Sequence, residues 1–268
     1  MNDAELRNFE ITTKGGELLE SNKQIWQSLG IKQTDNALFF PTPNALVPIR
    51  FAKFMNKRKV TFVDTNEINV STLLSLATEL KLTNVTVKLA NPNGKFPIPD
   101  SSFDLVYSDL GFSNFLQDHK IDLDPLTKEL VRILKPEGKI AALDENGAPV
   151  MYPCPSEIQA IRAKLDGPRS DRLTMGRRIY GIYKANGLKN IQLIGYSRFV
   201  TSDDGELMQA ELSRRISALD SQNYESHPAM KGTITSQEIE KYKSWLKTQM
   251  ASNSFMIQFN TILAVATK

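Results

Sequence analysis

Cysteine and histidine are scarce in this sequence, and long apolar runs are missing altogether. Cys154 is the only cysteine among 268 residues, so no disulfide can form within the chain. A reducing interior suits such a chain, and the cytoplasm is the expected compartment. The two histidines, His119 and His227, lie in polar stretches with no cysteine or carboxylate at metal-ligand spacing, so no metal site is expected. No window reaches the ~18 apolar residues of a membrane span. The N-terminus "MNDAELRNFE" is acidic and polar, unlike a signal peptide, so neither membrane nor secretion is expected. Charge of one sign is not in excess either. A net charge of +3, evenly spread, gives no footprint for nucleic acid. The one dense basic run, Lys53, Lys57, Arg58 and Lys59, reads as a helix end and the turn after it, because cations favour helix C-termini.

What is present is the composition of a globular chain, 41% hydrophobic and 24% charged, long enough for one large domain. Residues 1–35 form an N-terminal helical segment, with Leu18, Leu19, Ile25, Trp26 and Leu29 at its apolar positions and Gly30 ending it. Residues 36–268 then alternate short apolar runs with amphipathic ones: "NALFF", "VPIRFAKFM", "KVTFVD", "NVSTLLSLATEL", "NVTVKLA", "FDLVYSD", "DPLTKELVRIL" and "KIAAL". That alternation predicts a mostly parallel sheet with helices on both faces. Asp124 before Pro125 predicts a helix over about 125–134, closed by Gly138. In the C-terminal third, "NIQLIGYSRFV" and "FMIQFNTILAVAT" read as strands with two helical stretches between them. In the second stretch Thr235 and Glu238 predict a capping box, and Ile239, Tyr242, Leu246 and Met250 line one face. Insertions at about 148–178 and 203–250 are therefore read as helical lids.

Two motifs carry a resemblance. "FPIPDSSFDLVYSD", followed some 25 residues later by "ELVRILKPEGKIAAL", resembles strand 4 and the later helix and turn of the class I S-adenosylmethionine-dependent methyltransferases, in the branch acting on small molecules. "VTFVDTNE" resembles strand 2 with its terminal acid, and "GLKNIQLIGYSRFV" and "NTILAVATK" resemble the last two strands. The resemblance implies a Rossmann-like α/β fold with a seven-stranded, mostly parallel sheet, one antiparallel strand near 257–267, and a helical lid. Its cofactor crevice lies at the carboxyl ends of the first, second and fourth strands.

Carried onto this sequence, the resemblance gives Asp64 the ribose hydroxyls, with the carboxylate open to the crevice; an N-cap for the following helix is the alternative. Ser108 and Asp109 fall where the family lines its methyl-transfer site, Ser108 on the cofactor and Asp109 as the candidate base, although either could instead cap a short turn. Asp104 and "LKPEG" read as architectural.

The glycine loop is the departure. The family's glycine positions after strand 1 fall on Pro41, Pro43 and Ala45, within "FPTPNA", and its acidic position within the strand falls on Phe39. Proline lacks an N–H and holds an extended geometry, so only Thr42, Asn44 and Ala45 are left to offer amides to the cofactor's carboxylate. The family's adenine-site aspartate falls on Pro92, leaving Asn91 and Asn93 as uncharged acceptors. Tyr152, Arg177 and Arg178 fall in or beside the segment that faces the acceptor in this family, although "RRIYGIYKANG" also reads as an amphipathic helix with Ile179, Ile182 and Tyr183 inward.

Two readings follow. One is a small-molecule methyltransferase with weakened S-adenosylmethionine binding. The other is a methyltransferase-fold protein that transfers nothing and serves as a ligand-binding or partner subunit. A small molecule is the expected ligand under the first, and a homodimer or a role as partner subunit is left open. Cys154, between two prolines, reads as a semi-buried thiol and not a nucleophile.

Overall fold

A computed structural model describes residues 24–32, 35–42, 45–55, 58–91, 95–113, 123–221 and 232–268. His119, His227, Pro43, Asn44, Pro92 and Asn93 lie outside the described residues. The chain divides into two units.

The first unit comprises the described residues of Glu17–Asn146, Thr174–Tyr196 and Thr261–Lys268. Here β1 (Ala37–Phe39) lies between β2 (Val60–Asp64) and β4 (Phe103–Asp109), β3 (Val85–Leu89) flanks β2, and β5 (Leu134–Glu145) flanks β4, all parallel. The second half of β8 (Met256–Thr267) pairs with β5 antiparallel, from Glu145 opposite Thr261 to Lys139 opposite Thr267. The antiparallel strand thus falls where the sequence places it.

Strand residues alternate between two cores, as a sheet covered on both faces requires. One core takes Leu38, Val63, Val106 and Ala142, with Leu126 and Leu130 of α3 (Leu123–Ile133) and Ile179 and Tyr183 of α5 (Met175–Ala185). The other takes Phe39, Phe62, Tyr107 and Leu143, with Phe51 of α1 (Leu46–Met55) and Leu73 of α2 (Glu67–Glu79). Trp26 joins this second core, meeting Phe51 edge-on at 5.2 Å between ring centres. The helix over "RRIYGIYKANG" is therefore amphipathic as its spacing predicts, with Ile182 partly buried beside the other two.

Asp104 is architectural: it accepts the Asn36 amide at 2.9 Å and the Lys135 ammonium at 2.9 Å, tying the entry of β1 to that of β5. "LKPEG" differs from its expected turn, because Leu134 already pairs with Phe103. The ladder then slips register before Leu105 meets Lys139, and Glu137 takes a φ of 60°. The turn is accommodated as an irregularity within one long strand.

The second unit comprises the described residues of Gly147–Leu173 and Ser197–Asn260. Its helices are α4 (Ser156–Asp166), α6 (Gly205–Ser221) and α7 (Ser236–Gln249). Ile158, Ile161, Leu212, Tyr242 and Leu246 close a core of its own. The capping box holds: Thr235 accepts from the Glu238 amide at 3.2 Å and Glu238 accepts from the Thr235 amide at 2.9 Å. A further strand that the sequence does not announce, β6 (Val150–Tyr152), pairs antiparallel with the first half of β8. β7 (Lys189–Thr201) also pairs with β8. At three residues β6 is too short to leave an alternation signal, and it sits inside a stretch that reads as helical insertion.

Candidate cofactor crevice

The carboxyl ends of β1, β2 and β4 bring Thr42, Asp64, Ser108 and Asp109 into one region of the first unit. All four are buried polar residues, with Asp64 only 3% exposed. Among the described residues three donors reach that carboxylate. Thr42 gives its amide to Oδ2 at 2.7 Å and its hydroxyl to the same oxygen at 2.6 Å, while the Asn66 amide reaches Oδ1 at 2.8 Å. The sequence expects a carboxylate open to a crevice, and the structure corrects this: Asp64 stands at the end of β2 but is closed on Thr42. The physical reason lies in the neighbouring proline. With no N–H at Pro41, Thr42 carries the first amide of the loop, and its hydroxyl adds a second donor in the same place. The helix N-cap that Asp64 could have been is Asn66, whose side chain accepts the Ile68 amide at 2.8 Å.

The loop is held from its other side by β4. The Phe40 amide bonds the Tyr107 carbonyl at 3.0 Å, and the Phe40–Pro41 peptide bond is cis. Gly111, in the turn after β4, sits so close that a Cβ there would overlap Pro41 Cδ and Ser108 Oγ and lie 3.1 Å from the Phe40 carbonyl oxygen. The Ser108 hydroxyl is buried beneath this contact and has no hydrogen-bond partner among the described residues. Asp109 accepts from the Tyr107 hydroxyl at 3.2 Å. Burial first, and the Asp109 charge second, push that phenol well above the ordinary tyrosine range.

Of the other predicted residues, Asn91 is exposed just past β3, next to Ala90, whose amide donates to the Asp64 carbonyl at 2.8 Å. Ala45 is half-buried at the start of α1. Arg177 and Arg178 are exposed on α5, and Arg177 Nε donates to Asn146 Oδ1 at 2.9 Å. Tyr152 belongs to the second unit and is 65% exposed. Among the described residues no cluster of histidine, cysteine and carboxylate could hold a metal.

Sequence reasoning overlooks Asp144, at the end of β5. It is fully buried, accepts the Ser113 amide at 3.0 Å and the Glu145 amide at 2.9 Å, and lies near the Tyr183 hydroxyl, which is buried and unpartnered among the described residues. Burial, outweighing the hydrogen bonds from Ser113 and Glu145, pushes its carboxyl up to about 7. An acid closing the apolar run "KIAALD" is the one signal that could have pointed to it.

Because that folded-state value lies above the unfolded one, its contribution to stability is complete below the unfolded carboxyl value and is lost as pH rises through about 7. Going from about pH 8 to about pH 6 should therefore add about 1.4 kcal/mol from this group. Urea unfolding at the two pH values checks it. Asp144→Asn should lack this increment, and an equal pH dependence in both proteins would rule the assignment out.

Residues 47–142 match the family model of a methyltransferase domain. The match begins just after the proline-containing loop. No curated protein sequence matches the chain. Among solved structures, the YcgJ protein of Bacillus subtilis is similar at a TM-score of 0.56 and 15% identity, covering 91% of this chain and 96% of that one. A putative methyltransferase of Bacillus halodurans gives 0.56 and 14%, with 91% and 97% covered. A methyltransferase of Aquifex aeolicus, described as dependent on S-adenosylmethionine, gives 0.51 and 14%, with 98% of both chains covered. At such identities the likeness speaks for the fold, which is the one reached above from the strands.

Proposed function

We infer that this member of the class I S-adenosylmethionine-dependent methyltransferase superfamily is a methyltransferase acting on a small molecule, and that its cofactor must take Asp64 from Thr42 in order to bind. One observation carries the reading. The two donors that Thr42 places on Asp64 Oδ2 are matched in number by the two ribose hydroxyls of a nucleoside, so the carboxylate can exchange one pair for the other without losing a partner. The donor set thus fits the ribose end of the cofactor, with Ser108 supplying a further hydroxyl. It serves the amino-acid end poorly, because Pro41 has no N–H to offer.

When bound, the cofactor supplies an activated methyl group. The chain's own residues orient the acceptor, exclude water and, at Asp109, take up its proton. Within the first unit, Arg177 and Arg178 are assigned to the acceptor. The second reading, a methyltransferase-fold protein that transfers nothing, is favoured by the near-complete burial of Asp64 beneath its own loop.

Calorimetric titration with S-adenosylmethionine and S-adenosylhomocysteine separates the two. Loss of two charge-assisted bonds at ~1.5–3 kcal/mol each should leave binding about a hundredfold or more weaker than an intact glycine loop gives. Thr42→Ala removes one competing donor and should tighten it. Absence of heat at millimolar ligand in both proteins would give the second reading preference.

A further inference from the structure

The second unit contains a small cavity of about 110 Å³ whose walls include Pro149, Arg162, Asp166, Arg214, Arg215 and Tyr242. Three guanidinium groups at one small cavity repel one another unless anions compensate them. Among the described residues, two carboxylates, Asp166 and Glu211, serve these groups. Glu211 serves two of the three: Arg214 reaches it through Nε at 3.1 Å and Nη2 at 2.6 Å, and Arg215 reaches it at 2.7 Å. Burial raises the Glu211 carboxyl, but Arg215, Arg214 and Arg198 more than offset this and hold it below the ordinary range, so it is a committed anion shared among several cations. Arg198, stacked over the Phe259 ring at 4.4 Å, adds its charge to the same carboxylate. Arg162, on α4, donates to the Pro149 carbonyl, a neutral acceptor. Three arginines thus line the cavity with one carboxylate, Asp166, while two of the three share Glu211.

We propose that this cavity binds an oxyanion, a phosphate or carboxylate group of a small molecule, with Arg162 and Arg214 as its principal donors. Planar guanidinium groups present paired N–H donors that match such oxygens. The volume admits one oxyanion head, with the body of any larger ligand left outside. The site lies wholly within the second unit and stands or falls independently of the cofactor reading.

The full-length chain is titrated with inorganic phosphate and, separately, with acetate, against chloride at equal ionic strength. Saturable heat and a concentration-dependent rise in melting temperature with at least one of the two are expected, since a ligand that binds only the folded state stabilises it. The stronger of the two identifies the head group. Arg162→Gln should weaken binding about tenfold or more, while Arg162→Lys, which keeps the charge but not the fork, should fall between. The melting temperature without ligand establishes that each variant is folded. No saturable binding of either anion, or equal affinity in folded Arg162→Gln, would overturn the proposal.

Discussion

Replacing Asp64 by alanine should lower the unfolding free energy by about 3–5 kcal/mol, because it strands two buried donors and a third that is partly buried. The Thr42 amide, the Thr42 hydroxyl and the Asn66 amide all end on this one carboxylate. The two Thr42 donors have no water at hand, since Thr42 is 1% exposed and Asp64 3%. Asp64→Asn keeps one acceptor oxygen for the Thr42 pair but turns an amide toward the Asn66 N–H, so about half of the loss is expected. Chemical denaturation of the three proteins measures both. A carboxylate standing open for a ligand would behave otherwise: its removal would cost little and could stabilise, as binding-site charges often do. A loss below about 1 kcal/mol in Asp64→Ala would therefore mean that Thr42 does not hold it.

The sheet was legible in the sequence because its signals are local and redundant. "VTFVD", "FDLVYSD" and "KIAAL" are apolar on both faces, as strands covered by helices must be, and the capping box at Thr235 announces its own helix. Asp64 was legible as the acid closing a strand, and the defect in the loop was legible from Pro41 and Pro43. The consequence of that defect was not. Whether a carboxylate faces a crevice or its own chain depends on contacts between residues 22 positions apart, as Thr42 and Asp64 are. No periodicity records such a pair. The second unit's separate core was hidden for a related reason: it is assembled from two segments far apart in the chain and from β6, which is only three residues long. The arginine cavity likewise draws Arg162 and Arg214 from different helices.

Gly111→Ala tests the same closure from the opposite wall, and it should give effects of opposite sign on stability and on ligand access. The added methyl would overlap Pro41 Cδ and Ser108 Oγ, and at 3.1 Å it would press on the Phe40 carbonyl oxygen. Neither ring nor backbone can yield cheaply, because the Phe40 amide is bonded to Tyr107 and the proline ring is rigid. Overpacking of this kind costs about 1–3 kcal/mol, read as a lower urea midpoint with an unchanged slope. The chain can relieve it by moving the Pro41–Thr42 segment away from β4, and that movement draws Thr42 off Asp64. Amide exchange at Thr42 should then accelerate in the variant. If the cofactor competes with Thr42 for the carboxylate, S-adenosylmethionine should bind the less stable protein more tightly than the parent. A variant as stable as the parent, with Thr42 equally protected, would show that β4 does not hold the loop shut. A destabilised variant with a freed Thr42 amide and still no affinity for the cofactor would place the obstacle at the amino-acid end of the crevice, where Pro41 offers no N–H.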